Sequence, residues 1–182
     1  MFNQRLNMFK TQKALLEEYA GNVKDGLCVP LSNVYAKHMI SNQQPKFLED
    51  CDETYKMAVE EEHHQFELSQ QGNQDFTHSA FIHIPHEDMT VDKISLTNSA
   101  NLQQLFADTE HALITYPIQR ENDNHMVYFG KKKNHCVFFD ANHYGGEIKG
   151  PCPNIFEYMS HSIAVDYSDE EKSAKIGKVK HS

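Results

Sequence analysis

The spacing of the apolar residues changes part-way along the chain, and this change limits which folds are available. Over roughly the first seventy residues, apolar side chains recur every three or four positions, which predicts helices. Beyond that point they form short runs of strand length separated by polar turns. Short connections between neighbouring strands imply antiparallel pairing. We therefore expect an α+β fold, with N-terminal helices packed on a C-terminal antiparallel sheet.

The same pattern predicts where the elements lie. Helices are expected over residues 2–20, from Cys28 to about Ile40, from near Pro45 to about residue 70, and after Asn98. The segment from Ile155 to about Tyr167 is expected to be another helix or a mixed segment. Strands are expected at 80–84, 111–116, 125–129 and 135–139, with a hairpin loop at 130–134. The 182 residues are expected to form a single domain, 1–182, whose charged tail at 168–182 is either loose or an edge strand.

Burial and cysteine chemistry are predicted from the same spacing. The third helix is expected to bury Leu48, Cys51, Tyr55, Val59 and Phe66 and to expose its three glutamates at 60–62. The four cysteines are interpreted as free thiols in a reducing compartment, because a chain of this size can fold without disulfides. Cys51 and Cys136 have apolar neighbours and are expected in the core, whereas Cys152 lies between two prolines in a predicted loop.

Charge and composition exclude several classes of function. The net charge of −9 argues against nucleic acid as a principal partner, since phosphate binding requires clustered cations. We predict no transmembrane segment, because no apolar run approaches the roughly 18 residues that a membrane span needs. We also expect no cleavable signal peptide, because the N-terminal residues lack the apolar core and the small-residue cleavage site of a secretory signal. The twelve histidines form no His-Glu-x-x-His pattern, and no glycine-rich phosphate loop occurs, so neither a metal nor a cofactor is predicted.

One cysteine occupies a position that suits a nucleophile. Cys28 follows Gly26 and precedes the apolar pattern of the second predicted helix, with Pro30 in its first turn and Asp25 available as a cap. The partial positive charge at a helix N-terminus favours a thiolate over a thiol. Cys28 is therefore a candidate nucleophile, provided that a base lies nearby.

The predicted hairpin at 125–140 supplies candidates for that base and its orienting group. His125 opens one strand and Asp140 closes the next, and these two ends lie side by side in a hairpin. A carboxylate bound to one ring nitrogen leaves the other nitrogen facing a nucleophile, as in a catalytic triad. His111 is the alternative base because it also opens a strand, and His135 and His143 lie near the same hairpin.

The order of these residues is similar to that of a known family. The stretch Gly26-Leu-Cys28-Val-Pro-Leu-Ser32, a histidine that opens a strand, and Phe138-Phe-Asp-Ala-Asn142 resemble the motifs of the YopT-like, AvrPphB-like effector cysteine proteases, a papain-fold group. The resemblance covers about residues 22–146. The chain departs from that pattern in having Ala141 where the family has proline, an additional His143 in the turn, and no tryptophan.

The resemblance implies a papain-like fold and a thiol hydrolase mechanism. Cys28 would attack a carbonyl carbon, His125 would carry the proton, and Asp140 would orient the imidazole. The backbone amide of Cys28 would help to hold the oxyanion, and Asn22 is the candidate for a side-chain donor beside it.

Three hypotheses follow. The leading one is a papain-like cysteine protease that acts on a protein or peptide, such as a bacterial effector translocated by a secretion system into the host cytosol, with a host protein as substrate. The second keeps the triad but makes the chain a deamidase, transglutaminase or acyltransferase, because a thioester can pass to water, an amine or an alcohol. The third is a catalytically inactive binding module. The sequence leaves the substrate and the oligomeric state open.

Overall fold

The structure, a computed structural model, describes residues 11–19, 26–74, 76–119 and 123–181, and it divides into two compact units. The first unit contains the residues up to Ile82 together with Asp140–Glu147. The second contains His83–Phe139 and the residues from Ile148 onward. The short segment Asp140–Glu147 therefore belongs with the N-terminal helices, although it follows a strand of the second unit in sequence.

The first unit is helical, as the periodicity predicts. Its described residues form three α-helices, α1 (Gln12–Tyr19), α2 (Cys28–Ile40) and α3 (Cys51–Gln70), and two 3-10 helices, Lys46–Glu49 and Phe76–Phe81. Helix α2 begins and ends at the predicted residues. Helix α1 covers the part of the predicted 2–20 helix that lies within the described residues. Helix α3 begins after the 3-10 turn, where the Asp50 side chain accepts a hydrogen bond from the Glu53 amide.

The predicted buried face of α3 is wrong except at Leu48, which is buried in the 3-10 helix before α3, and Glu60 and Glu62 are exposed as predicted. The residues that α3 buries are Thr54, Ala58, Glu61, Gln65 and Leu68, whereas Phe66 is 65% exposed. Glu61 is buried because it pairs with Lys37 of α2 and accepts a hydrogen bond from the Ser79 hydroxyl. A buried charge with such partners avoids most of the desolvation penalty, so a polar face can pack inward.

The predicted strand at 80–84 is also wrong, because residues 76–81 form a 3-10 helix. The side chain of Asn33 on α2, which is fully buried, holds this helix in place. Its amide donates to the carbonyl oxygens of Val29 at 2.9 Å and Thr77 at 2.7 Å, and its oxygen accepts from the Ala80 amide at 2.9 Å. The Ala80 amide and the Thr77 carbonyl are thus satisfied by one side chain rather than by a neighbouring strand.

We expect Asn33→Ala to lower the free energy of unfolding by about 2 kcal/mol, because it leaves backbone groups of Thr77 and Ala80 without their partner. Asn154→Ala, at an exposed position of the C-terminal helix, is the matched control and should change stability by less than about 0.5 kcal/mol. Urea unfolding of both variants measures the difference. Equal stabilities for the two variants would contradict the assigned role of Asn33.

The second unit is a six-stranded sheet with three helices. Its strands are β1 (Glu87–Val91), β2 (Thr109–Pro117), β3 (Asn124–Lys132), β4 (His135–Phe139), β5 (Glu147–Pro151) and β6 (Ala174–Lys180). Its helices are α4 (Lys93–Thr97), α5 (Ser99–Leu105) and α6 (Cys152–Asp166). The strand order is β1-β6-β2-β3-β4-β5. The pairs β1–β6, β6–β2, β2–β3 and β3–β4 are antiparallel. The α+β class is therefore confirmed.

The core of the second unit lies on one face of this sheet. Alternate residues of β2, β3 and β4 point to that face, among them Ile114, Phe129 and Phe138, and they pack with Phe156 and Met159 of α6. Strands β2, β3 and β4 appear where the sequence predicts them, and Asn98 caps α5 as expected. Strands β1 and β5 and helix α4 were not predicted.

The charged tail was expected to be loose or to form an edge strand. It forms a strand, but this strand is not at the edge of the sheet. Strand β6 lies between β1 and β2 and pairs with both. The Lys178 side chain on this strand is buried, and it donates to the Leu105 carbonyl at 3.0 Å and to Asp108 at 3.4 Å. The aliphatic part of a lysine can be buried in this way when its ammonium group has acceptors.

Two of the four cysteines form a disulfide, which corrects the prediction of four free thiols. Cys136 of β4 is bonded to Cys152, with a Cα–Cα distance of 4.8 Å. Cys152 is the first residue of α6 and not part of a loop, and its amide donates to the Asn134 carbonyl at 3.1 Å. Cys28 and Cys51 are free, and Cys51 is only half-buried rather than part of the core.

Candidate active site

Cys28 is the first residue of α2, as predicted. Its thiol is free and its side chain is largely buried, with 8% exposed. The position before it, Leu27, caps the helix without any side-chain hydrogen bond, and Pro30 lies in the first turn. Asp25, the predicted cap, lies outside the described residues. The backbone amides of the first turn of a helix have no partner within the helix, and they carry its partial positive charge.

Asp140 is the first residue of the segment Asp140–Glu147, which follows β4 in sequence and belongs to the first unit. The turn is closed by hydrogen bonds from the Asp140 amide to the Gly146 carbonyl at 2.8 Å and from the Gly146 amide to the His143 carbonyl at 2.9 Å. Gly145 and Gly146 have φ of 85° and 79°, which only glycine adopts readily. These bonds give Asp140 a defined place although it lies outside a strand.

The Asp140 carboxylate is fully buried and has two neighbours in its own turn. Its Oδ1 accepts a hydrogen bond from the Asn142 amide at 2.8 Å, and its Oδ2 lies 3.3 Å from Nε2 of His143. The His143 side chain is 24% exposed. His143, the residue added to the family pattern, thus contacts the carboxylate that the sequence analysis assigned to orient His125.

His125 is the second residue of β3, in the second unit, and only 2% of its surface is exposed. It lies opposite Tyr116 of β2, and the two rings meet edge to face with centroids 5.7 Å apart. His125 shares the face of β3 that carries Val127 and Phe129. Packing against Tyr116 therefore restricts the orientation of the imidazole.

The alternative base, His111, lies elsewhere on the same sheet. It is opposite Gly130, five residues along β2 from the partner of His125, which corresponds to about 17 Å. Its Nδ1 is 2.6 Å from the Tyr128 hydroxyl. Strand β4 pairs with the part of β3 from Tyr128 to Lys132, which includes Gly130, the partner of His111.

His111 should nevertheless make stability depend on pH. Burial lowers the pKa of His111, while the neighbouring Glu110 acts in the opposite direction. The unfolded chain therefore binds this proton more readily, and the stabilising contribution is complete above about pH 6.5 and lost as the pH falls below it.

We expect the loss of unfolding free energy between pH 7 and pH 5 to be smaller in His111→Gln than in the wild type. The control is His161→Gln on α6, because the His161 side chain is 79% exposed and should leave the slope unchanged. Thermal or urea unfolding at several pH values measures the slopes. A wild-type slope in His111→Gln would contradict this assignment.

The other residues that the sequence analysis named are His135 and Asn22. His135 is exposed at the start of β4, beside the hairpin turn. Asn22, the predicted oxyanion donor, lies outside the described residues. Within the part of the chain that the structure describes, no group of three or more His, Cys, Asp or Glu side chains could hold a metal ion. In that part, no helix is both long and apolar enough to cross a membrane.

Comparison with known proteins gives a match among solved structures. No family model and no curated protein matches the chain. Among solved structures, that of the Pseudomonas avirulence protein AvrPphB aligns with a TM-score of 0.60, covering 94% of this chain and 96% of that one. This chain is similar in fold to AvrPphB. The expected fold is thereby confirmed, since AvrPphB belongs to the group that the sequence motifs resemble.

The match to AvrPphB concerns the fold. The two sequences are 11% identical over the aligned region, so the comparison with AvrPphB assigns no catalytic role to a residue of this chain. The roles expected for Cys28, His125 and Asp140 therefore stay predictions.

Proposed function

We propose that the protein is a papain-like cysteine protease with Cys28 as nucleophile, His125 as base and Asp140 as orienting carboxylate. The observation that carries the proposal is a free thiol at the first residue of a helix in a chain with the fold of AvrPphB. The buried carboxylate of Asp140 and the buried imidazole of His125 supply the two other groups that a thiol protease needs.

The register of the hairpin supports the pairing of His125 with Asp140. In the ladder, Tyr128 is opposite Phe139 and Phe129 is opposite Phe138. Asp140 directly follows Phe139, and His125 lies three residues before Tyr128 on the neighbouring strand, in agreement with the order that the sequence predicts for this pair.

In this mechanism, His125 accepts the proton of the Cys28 thiol, and the sulfur attacks the carbonyl carbon of a peptide bond. The carbonyl oxygen becomes an oxyanion, which the backbone amide of Cys28 stabilises, together with Asn22 as proposed from the sequence. His125 then protonates the leaving amine as the C–N bond breaks. Water, deprotonated by His125, hydrolyses the thioester and restores the thiol. Asp140 keeps the imidazole oriented and stabilises its cationic form.

We further propose that the substrate is a host protein and that a bacterial secretion system delivers the protease into the host cytosol as a virulence effector. Support comes from the motif resemblance and from the fold shared with an avirulence protein of Pseudomonas. The roles assigned to Cys28, His125 and Asp140 need no cofactor. The net charge of −9 is consistent with a protein rather than a nucleic acid as substrate.

Product analysis tests this function. A host-cell lysate is incubated with the wild type or with Cys28→Ala, and new protein N-termini are identified by mass spectrometry. A protease generates new N-termini that are absent with Cys28→Ala. Intact targets that have exchanged an amide nitrogen for oxygen would instead indicate a deamidase, and targets with added mass would indicate group transfer. Either result without chain cleavage would overturn the protease assignment.

A further inference from the structure

We propose that Gln12 is a positioning residue that connects the start of the Cys28 helix to the Asp140 turn. This inference rests on the proposed function, because it gives Gln12 a role through Cys28 and Asp140 and not through the substrate. Gln12 is the first residue of α1 and is 8% exposed. It belongs to the same unit as Cys28 and Asp140.

Gln12 forms hydrogen bonds to both sides of the candidate site. Its side-chain Oε1 accepts a hydrogen bond from the Leu27 amide at 2.6 Å, directly before Cys28. Its backbone amide donates to the Ala141 carbonyl at 2.7 Å, directly after Asp140, and its Nε2 donates to Oδ1 of Asn142. A single residue thus fixes the backbone beside the nucleophile and the backbone beside the carboxylate.

The contact with Asn142 reaches the Asp140 carboxylate itself. The backbone amide of Asn142 donates to Oδ1 of Asp140 at 2.8 Å, while its side chain accepts from Gln12. A shift of Asn142 would therefore change both the orientation and the hydrogen bonding of the carboxylate. Small displacements of catalytic groups lower rates strongly, because the reacting geometry must be held within a fraction of an ångström.

The glycine of the Gly-x-Cys motif gives independent support. A Cβ atom added to Gly26 would lie 3.1 Å from Oε1 of Gln12, closer than ordinary van der Waals contact. The side chain of Gln12 thus occupies the space that a larger residue at position 26 would need. The short motif before Cys28 and the distant Gln12 are consequently parts of one arrangement.

A second contact between α2 and the same segment offers a matched control. The Tyr35 hydroxyl donates to the Glu147 carboxylate, at the opposite end of the segment from Asp140. Tyr35→Phe removes this bond but leaves the bonds to Leu27, Ala141 and Asn142 in place. If Gln12 had a purely structural role, Gln12→Leu, like Tyr35→Phe, would lower the melting temperature and leave the reactivity of Cys28 unchanged.

The test measures the rate at which iodoacetamide alkylates Cys28 between pH 5 and pH 9, with the free thiol of Cys51 as internal reference. We expect Gln12→Leu to lower the rate of Cys28 alkylation about tenfold at pH 6, because a displaced Asp140 carboxylate no longer orients the base. The alkylation rate at pH 9 should stay nearly unchanged. Tyr35→Phe should lower the melting temperature without altering the Cys28 profile.

Gln12→Glu keeps an acceptor for the Leu27 amide but cannot donate to Asn142. It therefore distinguishes the bond beside Cys28 from the bond beside Asp140. It also provides a test if Gln12→Leu does not fold. We expect Gln12→Glu to reproduce at least part of the loss at pH 6. A wild-type pH profile in folded Gln12→Leu or Gln12→Glu would overturn the inference and leave the proposed function standing. Equal rates for Cys28 and Cys51 in the wild type would instead overturn the proposed function, and the inference with it.

Discussion

Replacing Cys28 with alanine is expected to lower turnover by at least about 10⁴-fold, since the variant cannot form the thioester on which both half-reactions depend. The substitution removes one sulfur from a largely buried site and no hydrogen-bonded backbone group, so we expect stability to change by only about 1 kcal/mol. Release of new protein N-termini measures the first effect, and thermal unfolding measures the second.

The matched control for this prediction is Cys51→Ala, which removes the other free thiol from a half-buried position at the start of α3. It should retain wild-type turnover. Cleavage by Cys28→Ala at a rate comparable to that of Cys51→Ala would show that the reaction does not use the sulfur of Cys28.

Breaking the Cys136–Cys152 disulfide is expected to destabilise the protein by about 3 kcal/mol, which corresponds to a fall in melting temperature of roughly 6–12 °C. The bond joins β4 to the first residue of α6 across a sequence separation of 16. Its removal increases the conformational freedom of the unfolded chain and releases the N-terminus of α6 from the sheet. Thermal unfolding with and without a phosphine reductant measures the change.

The double variant Cys136→Ala/Cys152→Ala is the control, because its melting temperature should not respond to the reductant. Alkylation of the denatured, unreduced wild type should modify two thiols, those of Cys28 and Cys51. Modification of four thiols would contradict the disulfide and restore the interpretation of four free cysteines.

Local sequence patterns predicted the elements whose partners are close in sequence. Helix α2 combines an apolar repeat with a proline in its first turn, and the β3–β4 hairpin combines two apolar runs with a short polar connection. Each signal lies within about fifteen residues. The α+β class follows from the order of these elements, which is why it could be predicted before any tertiary contact was known.

The errors arose where a distant side chain decided the local structure. Residues 76–81 form a 3-10 helix because Asn33 binds their backbone, and α3 buries Glu61 because Lys37 and Ser79 reach it. Strand β6 lies inside the sheet, whereas the charged tail was expected to be loose or an edge strand. None of these partners is visible in a window of sequence around the affected residues.

The candidate site also combines residues that local motifs predict with residues that only tertiary contacts reveal. Cys28 and the Asp140 turn could be found from short motifs, since a helix start and a glycine turn have local signatures. Gln12 could not, because it lies far from both in sequence and carries no motif of its own. The contact of His143 with Asp140 was also not predicted, and it makes His143 a second imidazole to be tested beside His125.

The most direct test of the central claim is the pH dependence of Cys28 alkylation in the wild type, His125→Ala and His143→Ala, followed by intact-protein mass spectrometry with peptide mapping. We expect Cys28 to react faster than Cys51 at pH 6 in the wild type and in His143→Ala. In His125→Ala this advantage should disappear, because the thiolate has lost its imidazolium partner. An advantage that persists without His125, or that is absent from the wild type, would contradict the proposed triad.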